Sequence, residues 1–191
     1  MEEETLGVEQ ALYRLTYEGG GGRTSLKVIL RRSPDRRFQL VFSDVVGRRV
    51  WSLDNSPQQT ILVDHRAGTY CASGPELSLP DVHPQELPLA AIPRVLAGQL
   101  PTEEDPVAGS DEFVDAGGRR WRASRRGGEL VAWSLLDDAG PALWWTRDRE
   151  GGILSRRGGE QYRWKLVVSE ISLEPLRDIV PEGFAEVTCD E

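Results

Sequence analysis

The 191-residue chain predicts a mainly β fold, with about eleven strands that are antiparallel in sequence order, curl towards a barrel and carry one short helix as lid or plug. Three observations carry this. Short runs alternate apolar and polar residues, as in Leu26-Lys27-Val28 and Phe38-Gln39-Leu40. Glycine-bearing turns punctuate the second half at hairpin spacing: Gly117-Gly118, Gly127-Gly128, Asp138-Ala139-Gly140, Gly151-Gly152 and Gly158-Gly159. One apolar segment, residues 87–101, has helical spacing instead.

Residues 11–18 read as the first strand, and Gly19-Gly20-Gly21-Gly22 turns the chain into a second over 24–32. That glycine run lacks the Gly-x4-Gly-Lys spacing of a phosphate loop and precedes a strand, so it reads as a hairpin. Leu26, Val28 and Leu30 share the inward parity of the second strand, and Phe38, Leu40 and Phe42 that of the third. The loop Asp44-Val45-Val46-Gly47 places two branched apolar residues where a turn is ordinarily polar. They either pack beneath the loop or project to touch a membrane or partner. A fourth strand over 49–53 turns Trp51 and Leu53 inward, a fifth over 60–64 offers Ile61 and Val63, and residues 69–71 complete the first half.

A proline-rich passage over 74–84 leads to the helix, where Leu89, Ile92, Val95 and Leu96 share one face. Pro88 can open it, Pro93 costs one backbone bond and kinks it unless it lies in the first turn, and Gly98 followed by Pro101 ends it. A single helix face in a strand-rich chain has to cover something the sheet leaves open. Residues 102–110 form an acidic surface loop, followed by a meander of strands over 113–116, 119–125, 130–136, 142–147, 153–156 and 162–173. Trp121, Trp133, Leu135, Trp164, Leu166 and Val168 hold inward parity. Trp144 and Trp145 are neighbours and face opposite ways; Trp145 is assigned to the interior. Large side chains inside such a sheet line a space for an apolar ligand.

The length suits one domain over 1–191, with 1–9 and 175–191 as terminal extensions. With 39% hydrophobic and 28% charged residues, no run approaches the roughly 18 apolar residues of a membrane span. Met1-Glu2-Glu3-Glu4 has neither the basic nor the apolar region of a signal peptide, which fits a cytosolic protein or one trimmed of its leader. A net charge of −8 argues against nucleic acid as a partner, and Arg119-Arg120 and Arg125-Arg126 read as solvated hairpin ends. Cys71 and Cys189 lack metal-ligand neighbours. They are either a disulfide that ties the tail down in an oxidising compartment or two unrelated thiols. The two histidines, His65 and His83, stand in no nucleophile-base-orienter pattern; Cys71 lies six residues from His65, but nothing supplies an oxyanion hole. No catalytic residue, metal site or cofactor is expected.

The order of these features resembles the outer-membrane lipoprotein receptor family LolB. The run Phe38-Gln39-Leu40-Val41-Phe42-Ser43-Asp44-Val45-Val46-Gly47 matches a strand ending in a short apolar loop. Leu87-Pro88-Leu89 with Val95-Leu96-Ala97-Gly98-Gln99-Leu100-Pro101 matches the family's later helix, and the likeness covers roughly residues 10–170. The related carrier LolA shares the fold, an incomplete (unclosed) antiparallel β-barrel closed by helices. The resemblance implies a non-enzymatic, chaperone-like role: binding and transfer of lipoprotein acyl chains during outer-membrane biogenesis. The inward residues named above, Val168 apart, would be the lipid-binding set, and the partners would be acyl chains of lipoproteins or other lipids and a carrier or receptor protein. Val46, beside Val45, falls at the exposed loop residue that makes transient contact with the outer membrane. Arg31 or Arg32, before Ser33-Pro34, corresponds to an arginine that holds the lid shut. A periplasmic location is implied, with anchoring at the outer membrane through a lipidated N-terminal cysteine.

The chain departs from the receptor pattern in three ways. Val replaces Pro in the tip, the lipid-bearing cysteine is absent, and the tail Leu176-Arg177-Asp178-Ile179-Val180-Pro181-Glu182-Gly183-Phe184 is more carrier-like. The alternative is a periplasmic sensor or assembly protein that reuses the same barrel for lipid or partner binding.

Overall fold

A computed structural model describes residues 8–75, 84, 86–104, 106, 111–172 and 174–189. Within them lie thirteen strands: β1 (Val8–Gly19), β2 (Gly22–Arg32), β3 (Phe38–Ser43), β4 (Arg49–Asn55), β5 (Thr60–Asp64), β6 (Thr69–Ser73), β7 (Glu112–Val114), β8 (Arg120–Arg126), β9 (Glu129–Asp137), β10 (Gly140–Asp148), β11 (Gly151–Arg156), β12 (Gln161–Ser172) and β13 (Ala185–Glu186). A 3-10 turn, Leu89–Ala91, runs into the short helix α1 (Ile92–Leu96) between β6 and β7. The strand order is β13-β6-β5-β4-β3-β2-β1-β12-β11-β10-β9-β8-β7, so the sheet has two ends and is not closed. The fold class is the expected one: mainly β, one large unclosed antiparallel sheet and a short helix. Two details differ. β1 begins at Val8 instead of residue 11, and the tail adds β13, which pairs parallel with β6.

Met1-Glu2-Glu3-Glu4, residues 76–83 of the proline-rich passage with His83, residues 105 and 107–110 of the acidic loop, and Leu173 lie outside the described residues.

The described residues divide into two compact units. The first takes those within Met1–Leu15, Ser25–Pro80 and Leu166–Glu191, the second those within Thr16–Thr24 and Asp81–Lys165. In the first, hairpins join β2 through β6, and the turn after β3 carries Gly47 at φ +89, which a side chain adopts at a cost. In the second, the meander β8 to β12 buries a tryptophan-rich face. The helix of this unit obeys its sequence signals. Pro88 precedes the 3-10 turn with φ −60, and Pro93 sits in the first turn of α1, where its missing N–H breaks no bond. Gly98, at φ +71, closes the end as its N–H reaches Val95 O and that of Gln99 reaches Arg94 O. Leu89 and Val95 are buried, while Ile92 and Leu96 are half-buried.

Candidate functional site: two apolar faces and an exposed valine tip

Strand register decides which apolar residues of the first unit act together, because directly opposed residues on paired strands share a face. Val28 opposes Phe42, Leu30 opposes Leu40, and Leu40 in turn opposes Leu53. With Leu26 and Phe38 they form one buried apolar face, to which Trp51, opposite Phe42, adds a half-buried ring. Leu53 opposes Leu62, whereas Ile61 opposes Asp54 and Val63 opposes Ser52. Ile61 and Val63 therefore lie on the reverse face, a correction to the interior set, and Leu62 takes their place. The run Ile61-Leu62-Val63 is apolar at three consecutive positions, so alternation could not set its phase.

That reverse face is not open. Gln39 donates Nε2 to Arg177 O at 2.6 Å and to Asp54 at 2.7 Å, and Arg31 donates Nη2 to Glu174 O at 3.1 Å. His65 meets the ring of Phe184 edge-on with centroids 5.7 Å apart, and its Nε2 shares a 2.8 Å hydrogen bond with Ser52 Oγ. Burial, helped by the positive charge of Arg49, lowers the His65 pKa against the opposing pull of Asp64. Ser52 is 2% exposed, so this serine–histidine pair offers no accessible nucleophile. β13 then lies along β6, with Ala185 N–H on Gly68 O and Val187 N–H on Tyr70 O, and a Cys71–Cys189 disulfide fastens the end. Of the two arginines implied to hold a lid, Arg31 binds this C-terminal segment and Arg32 pairs with Glu9; a lid-closing bond is not among the contacts described. A cavity of about 440 Å³ beside Asp35, Arg37, Asp54 and Asp178 is polar, and the Asp54 carboxylate within it is held by Arg37 and Gln39.

The β3–β4 turn presents Val45 and Val46 at 68% and 72% exposure. They project and do not pack beneath the loop. Asp44 builds the turn: its Oδ1 accepts the Val46 and Arg48 N–H groups, and its Oδ2 accepts Arg48 Nε at 2.8 Å. Burial raises the Asp44 pKa, but these bonds together outweigh it and hold the carboxyl below its usual range. The tip is thus an exposed apolar point on a hydrogen-bonded turn.

In the second unit tryptophans and leucines oppose one another across the inner face, and Leu143 also opposes Arg156. Trp121 opposes Leu135, Trp133 opposes both Ala123 and Trp145, Leu143 opposes Leu135, and Trp145 opposes Leu154. Trp121 and Trp133 pack edge to face at 5.5 Å, and Trp133 and Trp145 stack at 6.3 Å. Trp145 is fully buried and Trp144 half-buried, as neighbours of opposite facing must be. Gly152 makes room for this layer, since a Cβ there would stand 2.1 Å from Trp145 Nε1 and 2.7 Å from Trp164 Cζ2. Trp164 Nε1 donates to Leu96 O and so ties α1 to β12. Trp121 Nε1 donates to Asp115 Oδ2 at 2.9 Å. Burial raises the Asp115 pKa, yet that bond and those from Arg119 outweigh it, and the carboxyl is lowered overall. Sequence reading missed Leu143, Leu154 and Tyr162, all buried on this face; Tyr162 alternates with Gln161 and Arg163, whereas Leu143 and Leu154 have apolar neighbours that hide their phase.

On β12 the row Tyr162, Trp164, Leu166, Val168 keeps one facing. Tyr162 and Trp164 are buried, while Leu166 and Val168 are 43% and 49% exposed. The apolar row continues past the packed region into solvent. Among the described residues no cluster of three metal-ligating side chains occurs, and no helix is long and apolar enough to cross a membrane.

No protein family model matches this chain, and no curated protein matches it. Solved structures do resemble it. A Vibrio parahaemolyticus domain named for outer-membrane lipoprotein sorting superposes with a TM-score of 0.52 at 9% identity, over 88% of this chain and 86% of its own. A LolA superfamily protein from Nitrosomonas europaea gives 0.51 at 9% identity, over 91% and 88%. A DUF1329 family protein from Desulfovibrio piger gives 0.55 at 11% identity, over 88% and 87%. At such identities the likeness is one of fold, and the fold is of the LolA/LolB type.

Proposed function

We propose that this chain, acting as one domain, is a non-enzymatic binder of acyl chains that accepts lipids or lipidated proteins in the periplasm and passes them on. The observation that carries the reading is the inner row of β12, where aromatic residues in the packed face give way to exposed Leu166 and Val168. An aliphatic row left in water is an unspent binding surface. Its fold neighbours include a protein named for lipoprotein sorting and one named for the LolA superfamily, which supports the same reading.

The energetics suit a carrier. Each buried methylene contributes about 0.8 kcal/mol, so a perfectly fitted pocket would hold several chains too tightly to release them. A partly open apolar row binds more loosely. Val45 and Val46 then serve as the point of contact with the outer membrane during delivery, and each unit offers its own apolar lining, Leu26, Val28, Leu30, Leu40, Phe42 and Leu53 in the first and the tryptophan face in the second. Titration with a fluorescent long-chain fatty acid tests this. Saturable binding that weakens in Leu166→Asp is the expected result, and no binding in a correctly folded protein sinks the reading.

The alternative is a sensor or assembly protein that uses its exposed aliphatic residues for a protein partner. The packed state of Trp121, Trp133 and Trp145, each at most 1% exposed, favours it, because such a face is already filled. The fatty-acid titration separates the two.

A further inference from the structure

The tryptophans of the second unit differ in a way that packing leaves unexplained. Trp121 and Trp164 donate their indole N–H groups to Asp115 and to Leu96 O. Trp133 and Trp145, stacked on one another and 1% and 0% exposed, each hold Nε1 with no hydrogen-bond partner among the described residues. A buried donor without an acceptor costs free energy that a phenylalanine at the same position would avoid. An acceptor brought in by a ligand removes that cost in the bound state only.

We propose that Trp133 and Trp145 form a recognition site under the α1 cover for the neutral carbonyl oxygen of an ester- or amide-linked acyl group. The inference rests on the acyl-chain reading and adds which part of the molecule is held and by what. Two features shape the site. Gly152 lets the Trp145 indole pack directly against the β11 backbone, with Nε1 only 2.1 Å from where a Cβ would stand. On the other side, Gly98 at the end of α1 brings its backbone to the Trp145 ring, with a Cβ position 3.6 Å from Cζ2. A helix of five residues is marginal by itself and depends on its contacts, so displacing it as a unit is the route by which a ligand reaches the indoles. The donors are neutral indole N–H groups, so a neutral carbonyl pairs with them without burying a charge; Arg156 is committed to Glu86 and Glu160, and Arg147, on the same face, stands 3.8 Å from Glu129.

The test compares two fluorescent probes of equal chain length, a pyrene-labelled 1,2-dilauroylglycerol and its ether-linked analogue, which lacks the carbonyls. The full chain binds the ester roughly tenfold more tightly, the ratio one net buried hydrogen bond supplies. Benzothienylalanine at positions 133 and 145 keeps the ring shape and removes both N–H groups; it brings the ester-to-ether ratio close to one and does not lower the melting midpoint of the free protein. Trp133→Phe and Trp145→Phe each lose part of the preference. An ester preference that survives the N–H deletion overturns the site, as does a lowered midpoint in the free protein, which would reveal a structural partner such as a buried water. If both probes bind wild type equally, the acyl-chain reading stands and this site falls; if neither binds, both fall.

Discussion

Val46 stands 72% exposed on a turn whose backbone is already bonded to Asp44, so nothing beneath it needs its methyl groups. Val46→Glu is expected to change the unfolding free energy by no more than about 0.5 kcal/mol, as surface changes typically do, while reducing transfer of bound lipid to liposomes. A melting curve and a transfer assay on this one variant check both halves, and an unstable protein removes the membrane tip from the account. The sequence showed that the tip was unusual but not which way its valines point, because packing and projecting loops share the same composition. His65 carries a second residue-level expectation. Its pKa is lowered in the folded state, so below the unfolded value of about 6.5 the unfolded chain binds the proton more readily. Stability is then complete above that value and declines as pH falls from it towards the folded pKa. Urea midpoints at pH 7.5 and 5.5 should draw closer together in His65→Gln than in wild type. An unchanged gap would assign the loss to other groups.

The helix is the element the sequence announced most fully, since Pro88, Pro93 and Gly98 each sit where backbone chemistry requires. Gly98→Ala tests that logic in isolation. The added Cβ would meet Trp145 at ordinary contact distance, so the cost arises from φ +71 alone, about 1 to 2 kcal/mol by equilibrium unfolding. A neutral substitution would mean the helix end relaxes freely. Strand β5 was less legible. Ile61-Leu62-Val63 alternates with nothing, and only its register against β4 reveals that Leu62 shares the face of Leu53. β13 was not legible at all, because two residues in parallel pairing leave no period to read.

At the scale of the molecule, Cys71 and Cys189 span 118 residues, and the disulfide restrains a tail whose β13 ladder is only two residues long. The chain-entropy argument gives about 4 to 5 kcal/mol for a loop of that size, with measured bonds more often nearer 2 to 4. Thiol counting on the unfolded, unreduced protein should therefore find none, and a reducing agent should lower the melting temperature. Two reactive thiols would return the pair to the status of unrelated cysteines. Sequence spacing left that choice open, because neither cysteine shows where the other will lie. The strand order has a further consequence, for biogenesis. β1, the first strand, lies between β2 and β12, and β6 receives β13. A nascent polypeptide emerging N-terminus first must therefore keep one flank of residues 8–19 unmated until residues 161–172 follow, and Cys71 must wait for a partner 118 residues further on. Until those residues arrive, residues 8–19 present an unpaired strand edge, the feature that exposes a folding β-sheet to aggregation.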